Sequence, residues 1–367
     1  MITIHKDNKP IYQISFHTDF SGIGTILAEL DMKEHKICIV TDSNVGKFYA
    51  GELLDVVKDY CKQVETYTFP AGECSKNLDT VNCLYQKLIE EKFDRSDLLI
   101  ALGGGVVGDL TGYAAATYLR GIRFIQVPTS LLAMVDSSIG GKTGVDYQSY
   151  KNMVGAFYQP KAVYMNFSLL KTLNDTQFFS GFGEIIKHGL IQDVDYFKKL
   201  LSVDDNEKTA LKTEKEKISS IVERSCEIKQ SVVEIDPEEK GLRATLNFGH
   251  TIGHAIEKKL SDYLLHGECV AVGMVAASYL SMKRGMISEQ DLQTICKCIQ
   301  SYHLPIEVKK FYLNPEEIYS LTRNDKKMCG DKIKFILLRS MGEAYIDTSV
   351  TKEEMLEAIQ YVTTDTI

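Results

Sequence analysis

The sequence lacks any run of five or more basic residues, and its formal net charge is −8. Nucleic-acid binding draws on a concentrated basic surface, so that class is set aside. No apolar stretch reaches the roughly 18 residues that a membrane-spanning helix needs, which argues against a membrane partner. The opening residues, Met1-Ile-Thr-Ile-His5-Lys6-Asp7, contain no signal-peptide apolar core. The nine cysteines form no C-x-x-C pair, and Cys296 and Cys298 would point to different faces of a helix. An odd, unpaired set of this kind suits reduced thiols, and the expected location is cytoplasmic. Internal repeats and low-complexity segments are absent. Two catalytic motifs are missing as well. Positions 251–253 are Thr, Ile and Gly, which excludes the His-Glu-x-x-His protease pattern, and no G-x-x-x-x-G-K-[ST] phosphate loop occurs.

What is present is an ordinary globular composition, 44% hydrophobic and 25% charged, in a 367-residue chain long enough for two domains. Strand patterns at 11–16, 36–40, 64–69, 97–102, 122–127 and 162–167 alternate with helical patterns at 23–30, 45–62 and 77–92. That alternation implies a mostly parallel sheet. From Ser168 onward the pattern turns helical. The charged stretch 202–217 reads as a surface connection or an exposed helix start, Cys269–Arg284 as a closely packed helix, and 333–338 with 343–347 as a late hairpin. Thr351-x-x-Glu354 is a capping box for the last helix.

Three stretches carry chemistry. Gly103-Gly104-Gly105-Val-Val-Gly108 follows a strand and opens a helix, so backbone N–H groups can approach a pyrophosphate. It departs from the usual dinucleotide fingerprint, because no acidic residue ends the next strand. Asp42, on an earlier strand, is the better candidate for ribose hydroxyls. Gly140-Gly141-Lys142-Thr143 reads as a flexible glycine loop that presents a lysine to an oxyanion. Among only eight histidines, His250, His254 and His266 fall together. His250 and His254 share a helix face, and that spacing permits a divalent metal site with open coordination. Glu184, set among apolar residues, needs a partner such as a metal or Lys187.

Taken together, the chain resembles the 3-dehydroquinate synthase family of sugar-phosphate cyclases. The resemblance is carried by Gly103–Asp109, Leu119-Arg120-Gly121, Pro128-Thr129-Ser130, Val135–Ser138 with Gly140–Gly144, Lys151-Asn152 with Gly155–Pro160, Gly183–Gly189, Leu246–His254 and His266-Gly267-Glu268. It covers roughly residues 40–330. It implies an α/β fold: a Rossmann-like, mostly parallel NAD-binding domain at 1–172 and a mainly α-helical metal- and substrate-binding domain at 173–367. The implied cofactors are NAD and Zn²⁺, with Co²⁺ as an alternative. The implied substrate is a phosphorylated sugar acid, 3-deoxy-D-arabino-heptulosonate 7-phosphate. Transient oxidation would be followed by β-elimination of phosphate, reduction, ring opening and an intramolecular aldol.

By the same resemblance the metal ligands are Glu184, His250 and His266, and His254 goes to the substrate and its phosphate. Lys142, Asn152, Asn247, His254 and Lys326 or Lys327 hold the phosphate and carboxylate ends. Lys187, Lys229, Arg243, Asp136 and Glu239 surround the remaining polar groups. Arg120 reaches the phosphate of a neighbouring subunit, which implies a homodimer. The cofactor positions are Asp42, Asn44, Glu73, Lys76, Gly104, Gly105, Asp109, Thr129, Ser130, Lys142, Lys151 and Thr172. Ala71 and Cys74 stand where the family more often has Asp and Lys, and Met134 where it often has Gln.

Three other readings compete. Aminodehydroquinate and other sugar-phosphate cyclases are the nearest, although retention of Lys142, Arg243, Asn247 and His254 favours a carboxylate substrate. A metal-dependent polyol dehydrogenase would release NADH and would not need Lys142, Lys187, Lys229 and Arg243 together. A non-catalytic paralogue would be expected to lose a metal ligand, and none is lost.

Overall fold

A computed structural model describes residues 1–364 apart from Ser149, Lys240, 324–327, Gly330 and Asp331. The chain divides into two compact units, Met1–Leu173 with Lys212–Ser220, and Asn174–Leu211 with Ile221–Ile367.

In the first unit, the strands are β1 (Ile2–Lys6), β2 (Lys9–His17), β3 (Lys36–Asp42), β4 (Gln63–Phe69), β5 (Leu98–Gly103), β6 (Arg123–Pro128), β7 (Lys142–Tyr147), β8 (Tyr150–Phe157) and β9 (Ala162–Asn166). Seven of them form one sheet in the order β1-β2-β9-β6-β5-β3-β4. Only β1 and β2 pair antiparallel within it. Helices α1 (Ile23–Glu29), α2 (Val45–Val57), α3 (Leu78–Glu90) and α4 (Gly105–Thr117) cover its faces. Ile37, Ile39, Leu98 and Ile100 pack with Leu27, Leu53 and Val57 on one side. Cys38, Val40, Leu99 and Ala101 pack with Leu84, Leu88, Leu110 and Ala114 on the other. Both faces are buried, which is why these strands read as continuous apolar runs rather than alternating ones.

Strand β3 leads to β4 on one flank, whereas β5 and β6 lie on the other. The carboxyl ends of β3 and β5 therefore sit side by side where the order reverses, the place at which open parallel sheets bind ligands.

One expectation fails here. Gly140–Gly144 is not simply a flexible loop, because Lys142 begins β7, which pairs with β8 from Lys142↔Phe157 to Tyr147↔Tyr150. The hairpin was hidden because Gly144 and Gly155 face each other. A Cβ on Gly155 would lie 2.4 Å from the Thr143 carbonyl oxygen, so the two backbones touch where strand side chains would show a pattern.

The second unit is mainly helical: α5 (Asp175–Gln192), α6 (Val194–Ser202), α7 (Asp205–Ala210), α8 (Lys215–Ile235, in this unit from Ile221), α9 (His250–Leu260), α10 (His266–Lys283), α11 (Glu289–Ser301), α12 (Pro315–Thr322) and α13 (Lys352–Thr363). Two hairpins accompany them, β10 (Met328–Cys329) with β11 (Lys332–Ile333) and β12 (Phe335–Ser340) with β13 (Glu343–Asp347). Thr351 caps α13 reciprocally with Glu354, as its motif implies. The charged stretch is less exposed than its composition implies. It contains α7, on which Lys208 is buried with its ammonium 4.9 Å from the Tyr302 ring centre. A long aliphatic stem lets a lysine pack in this way. Among the described residues no helix is long and apolar enough to cross a membrane.

Candidate active site

The strand ends of the first unit build a glycine-lined cradle. Asp42 closes β3, and its Oδ1 accepts from the N–H groups of Asn44 and Val45 at 2.8 and 2.9 Å. It thereby ties the entry of α2 to the end of β3. Gly103 ends β5, and Thr129 N–H donates to its carbonyl at 3.0 Å, so the loop after β6 lies against the glycines. A Cβ on Gly104 would sit 3.4 Å from Ser130 Oγ, and one on Gly105 3.2 Å from Ser137 Oγ. The bare backbone at the start of α4 thus leaves room for a phosphate group to approach its N–H donors. Thr172 closes the turn after β9 and lies 2.8 Å from the Tyr49 hydroxyl.

Lys76, Asp109 and Asn152 meet beside this cradle. The Lys76 ammonium donates to Asp109 Oδ2 at 2.7 Å and to Asn152 Oδ1 at 2.6 Å. Asn152 N–H donates to Asp146 Oδ1, and Asp146 N–H to the Lys76 carbonyl, each at 2.8 Å. Burial works against the Lys76 charge, but Asp109 and Glu73 outweigh it and hold the ammonium above its ordinary value. Burial also pushes the Asp109 carboxyl up. With two acceptors around one ammonium, the charged lysine is the state this geometry fits. Glu73 lies exposed on the single turn Glu73–Ser75. Lys142 and Lys151 are exposed on the hairpin, and Asp136 lies on a π-helical turn, Ala133–Ser137.

Arg120 does not join this group. It follows α4, whose 13 residues run about 20 Å away from the glycines. Leu119 and Arg120 both have positive φ, 50° and 68°.

In the second unit, α5, α9 and α10 gather the metal-type residues. Glu184 and Lys187, one turn apart on α5, are buried and ion-paired through Glu184 Oε2. The other oxygen, Oε1, is buried and has no hydrogen-bond partner among the described residues. It stands 3.5 Å from His250 Nε2 and 3.9 Å from His266 Nε2. A buried carboxylate oxygen left without a donor carries a cost. Donors held about 2 Å from one shared cation lie roughly 3–4 Å apart. The donor set of one carboxylate and two imidazoles therefore fits a divalent cation. His254 lies close by, since ligand atoms of His250, His254 and His266 all fall within 4.8 Å of one another.

The far nitrogens of the two imidazoles are occupied. His250 Nδ1 is 3.2 Å from the Phe248 carbonyl, and His266 Nδ1 is 3.0 Å from Glu257 Oε2. Glu257 has no place in the sequence reading. Its signal was available: with His250 and His254 it occupies i, i+4 and i+7, one helix face. Glu268 turns its carboxylate to the Leu265 N–H at 2.7 Å and caps α10, and burial holds its carboxyl above the usual range.

Three further groups complete the arrangement. His188 Nδ1 and Ser225 Oγ meet at 2.7 Å between α5 and α8, the helix that also carries buried Lys229. Arg243, also buried, is steadied by the Pro237 carbonyl at 2.7 Å. Asn247 donates to Glu239 Oε1 at 2.6 Å. Lys326 lies outside the described residues.

The chain matches the family model for the 3-dehydroquinate synthase N-terminal region over residues 66–180 and that for the C-terminal region over 181–328. It is 43% identical over 348 residues to 3-dehydroquinate synthase of Acetivibrio thermocellus, covering 95% of each chain. It is 44% identical over 335 residues to that of Clostridium acetobutylicum, covering 91% of this chain and 92% of the relative. Among solved structures it is similar to 2-deoxy-scyllo-inosose synthase complexed with carbaglucose-6-phosphate, NAD⁺ and Co²⁺, with TM-score 0.87 and 25% identity over 98% of this chain and 99% of that one. NADH-dependent butanol dehydrogenase A from Thermotoga maritima shares the fold at TM-score 0.72 and 13% identity, covering 99% of each chain.

Proposed function

The chain belongs to the 3-dehydroquinate synthase family, and we propose on that footing that it converts 3-deoxy-D-arabino-heptulosonate 7-phosphate to 3-dehydroquinate and phosphate in the shikimate pathway. When bound, NAD⁺ supplies a transient oxidation and its reversal, and a divalent cation supplies the positive charge that acidifies the hydroxyl to be oxidised. The observation that carries this reading is Glu184 Oε1, buried without a hydrogen-bond partner among the described residues and facing two imidazole nitrogens.

The residues then take separate roles. Glu184, His250 and His266 would hold the metal. Lys187 neutralises the second oxygen of Glu184 and leaves the first to the donor set. Lys229 and Arg243 are buried cations suited to polar and anionic groups of a substrate. Glu239 orients Asn247, and His254 lies one turn beyond His250 on the same helix. In the other unit, Asp42, Asn44, Gly104, Gly105, Thr129, Ser130 and Thr172 would line the NAD⁺ cradle. Glu73, Lys76, Asp109 and Lys151 would flank it, while Lys142 and Asn152 would hold anionic groups of the substrate and Asp136 would accept from its hydroxyls. Lys326 keeps the role implied by the resemblance.

The test is phosphate release from 3-deoxy-D-arabino-heptulosonate 7-phosphate with Zn²⁺ and catalytic NAD⁺, while free NADH is followed by absorbance. Phosphate release without NADH accumulation is expected. NADH accumulation on a simple polyol, with no phosphate released, would move the chain to the dehydrogenases that share its fold. Silence on this substrate and turnover of another sugar phosphate would make it a different cyclase.

A homodimer belongs to the same proposal. Tyr147, Tyr150, Met153 and Phe157 are exposed on the β7–β8 hairpin, and Leu119 is exposed beside Arg120. Tyr158 donates to the Ile122 carbonyl at 2.9 Å, so the end of β8 lies against the Arg120 turn. An exposed apolar group of this kind suits a protein partner. Sedimentation should give twice the 41.2 kDa chain mass. A monomer at micromolar concentration would remove both the dimer and the role of Arg120. The cytoplasmic location is part of the reading too, supported by eight described cysteines that are all free.

A further inference from the structure

We infer that Glu257 is a positioning residue for the metal site: it fixes the tautomer and ring orientation of His266. The inference rests on the reading of Glu184, His250 and His266 as metal ligands.

The two ligand imidazoles need the same thing and obtain it differently. A neutral imidazole has one N–H and one lone pair, and only the lone pair can bind a cation. The proton must therefore sit on Nδ1 if Nε2 is to coordinate. For His250 the acceptor is local. Gly249 adopts φ 80°, and the Phe248 carbonyl two residues back comes within 3.2 Å of Nδ1. His266 cannot use that device. It is the first residue of α10, and its preceding residue Leu265 adopts the extended N-cap conformation.

The acceptor for His266 comes from the neighbouring helix. Glu257 lies on α9, one helical step beyond His254, and only 8% of it is exposed. Its Oε2 is 3.0 Å from His266 Nδ1. A carboxylate can only accept there, so it selects the Nδ1–H tautomer and turns Nε2 toward Glu184 Oε1, 3.9 Å away. The negative charge also makes the ring a stronger donor. One face of α9 thus carries a ligand, His250, and the carboxylate that orients a second ligand on α10.

The experiment measures the Zn²⁺ dissociation constant of the full chain by competition with a chromophoric chelator, alongside the thermal midpoint of the metal-free protein. Glu257→Ala is expected to weaken Zn²⁺ binding about 10–100-fold, the usual cost of losing such a partner. Glu257→Gln should retain most of the affinity, because its amide oxygen can still accept from Nδ1–H. In ¹⁵N-histidine spectra the His266 proton should reside on Nδ1 in the wild type and lose that preference in Glu257→Ala. Wild-type affinity or an unchanged tautomer in Glu257→Ala would overturn the inference. So would equal affinity losses in the Ala and Gln variants together with a fallen metal-free midpoint, which would assign Glu257 to packing. Should Glu257→Ala not fold, Glu257→Asp withdraws the carboxylate by one methylene and should weaken binding; unchanged affinity there would also overturn the inference. His266→Ala separates the two levels. If it binds Zn²⁺ as the wild type does, the ligand reading itself fails. If it binds weakly while Glu257→Ala does not, only the role of Glu257 fails.

Discussion

The two oxygens of Glu184 have opposite surroundings, and much of the site follows from that. One is paired with the Lys187 ammonium, and the other is buried without a donor between two imidazoles. An isolated buried carboxylate with such an oxygen would be unfavourable, and a cation converts the same geometry into a favourable one. His250→Ala should therefore reduce turnover by more than about 100-fold, the loss that removing even an outer-shell partner can reach. The fold should survive, since His250 is the first residue of α9 and its truncation leaves the helix backbone unchanged. Turnover and far-ultraviolet circular dichroism, read together, check this. Substantial turnover after exhaustive chelation of the wild type would sink the metal assignment.

At the scale of elements, helix contact decides how Glu184, His250 and His266 converge. A Cβ on Gly273 of α10 would lie 1.9 Å from the Gly249 carbonyl oxygen, and one on Gly183 of α5 would lie 2.5 Å from that of Gly267. Gly249 precedes His250, Gly183 precedes Glu184, and Gly267 follows His266. Backbone-to-backbone contact thus sets the spacing of Glu184, His250 and His266, the proposed ligands. Gly273→Ala should cost about 1–3 kcal/mol through overpacking and should also weaken Zn²⁺ binding by displacing His250. Urea unfolding and metal titration would show both, and a stability loss with unchanged affinity would count against the coupling.

A second element-scale feature is acid-sensitive. Arg284, at the C-cap of α10, holds Glu354 of α13 at 2.8 and 2.7 Å and Asp347 at 2.9 Å. The Arg284 hydrogen bonds hold the Glu354 carboxyl below its ordinary value of 4.5. A depressed folded-state value means that the contribution is complete above the ordinary value and is lost as pH falls through the lower one. Urea midpoints should therefore drop as pH is lowered below about 4.5, and Arg284→Met should flatten that part of the curve. An unchanged slope in the variant would show that the pair contributes nothing measurable.

At the scale of the whole molecule, two kinds of ligand chemistry reside in two compact units. The first unit has the parallel sheet, with its switch point at Asp42 and Gly103–Gly105. The second has the buried carboxylate and imidazoles. Any ligand that binds only the native state raises stability by mass action, about 2.7 kcal/mol at a hundredfold excess over its dissociation constant. Stripping metal should lower the thermal midpoint, and Zn²⁺ should restore it. NAD⁺ should raise the midpoint of the metal-free protein as well. No response to Zn²⁺ after chelation would contradict the donor set described for Glu184, His250 and His266.

The sequence alone determined the α/β character of the first half, because strands buried on both faces must be apolar throughout and must alternate with covering helices. It also determined the helix start at Thr351–Glu354, since capping depends on neighbours within one turn. The grouping of His250, His254 and His266 was legible from their spacing, as was the glycine turn after β5. Other features came only from tertiary structure. The β7–β8 hairpin was invisible because its centre is glycine against glycine. Burial of Lys208 depended on the Tyr302 ring, far along the chain. The pairing of Glu257 with His266 and the unpaired oxygen of Glu184 depended on helices brought into contact by glycines. Local pattern reports what a segment can become, whereas which oxygen lacks a donor and which carboxylate faces which imidazole depend on distances between segments remote in sequence.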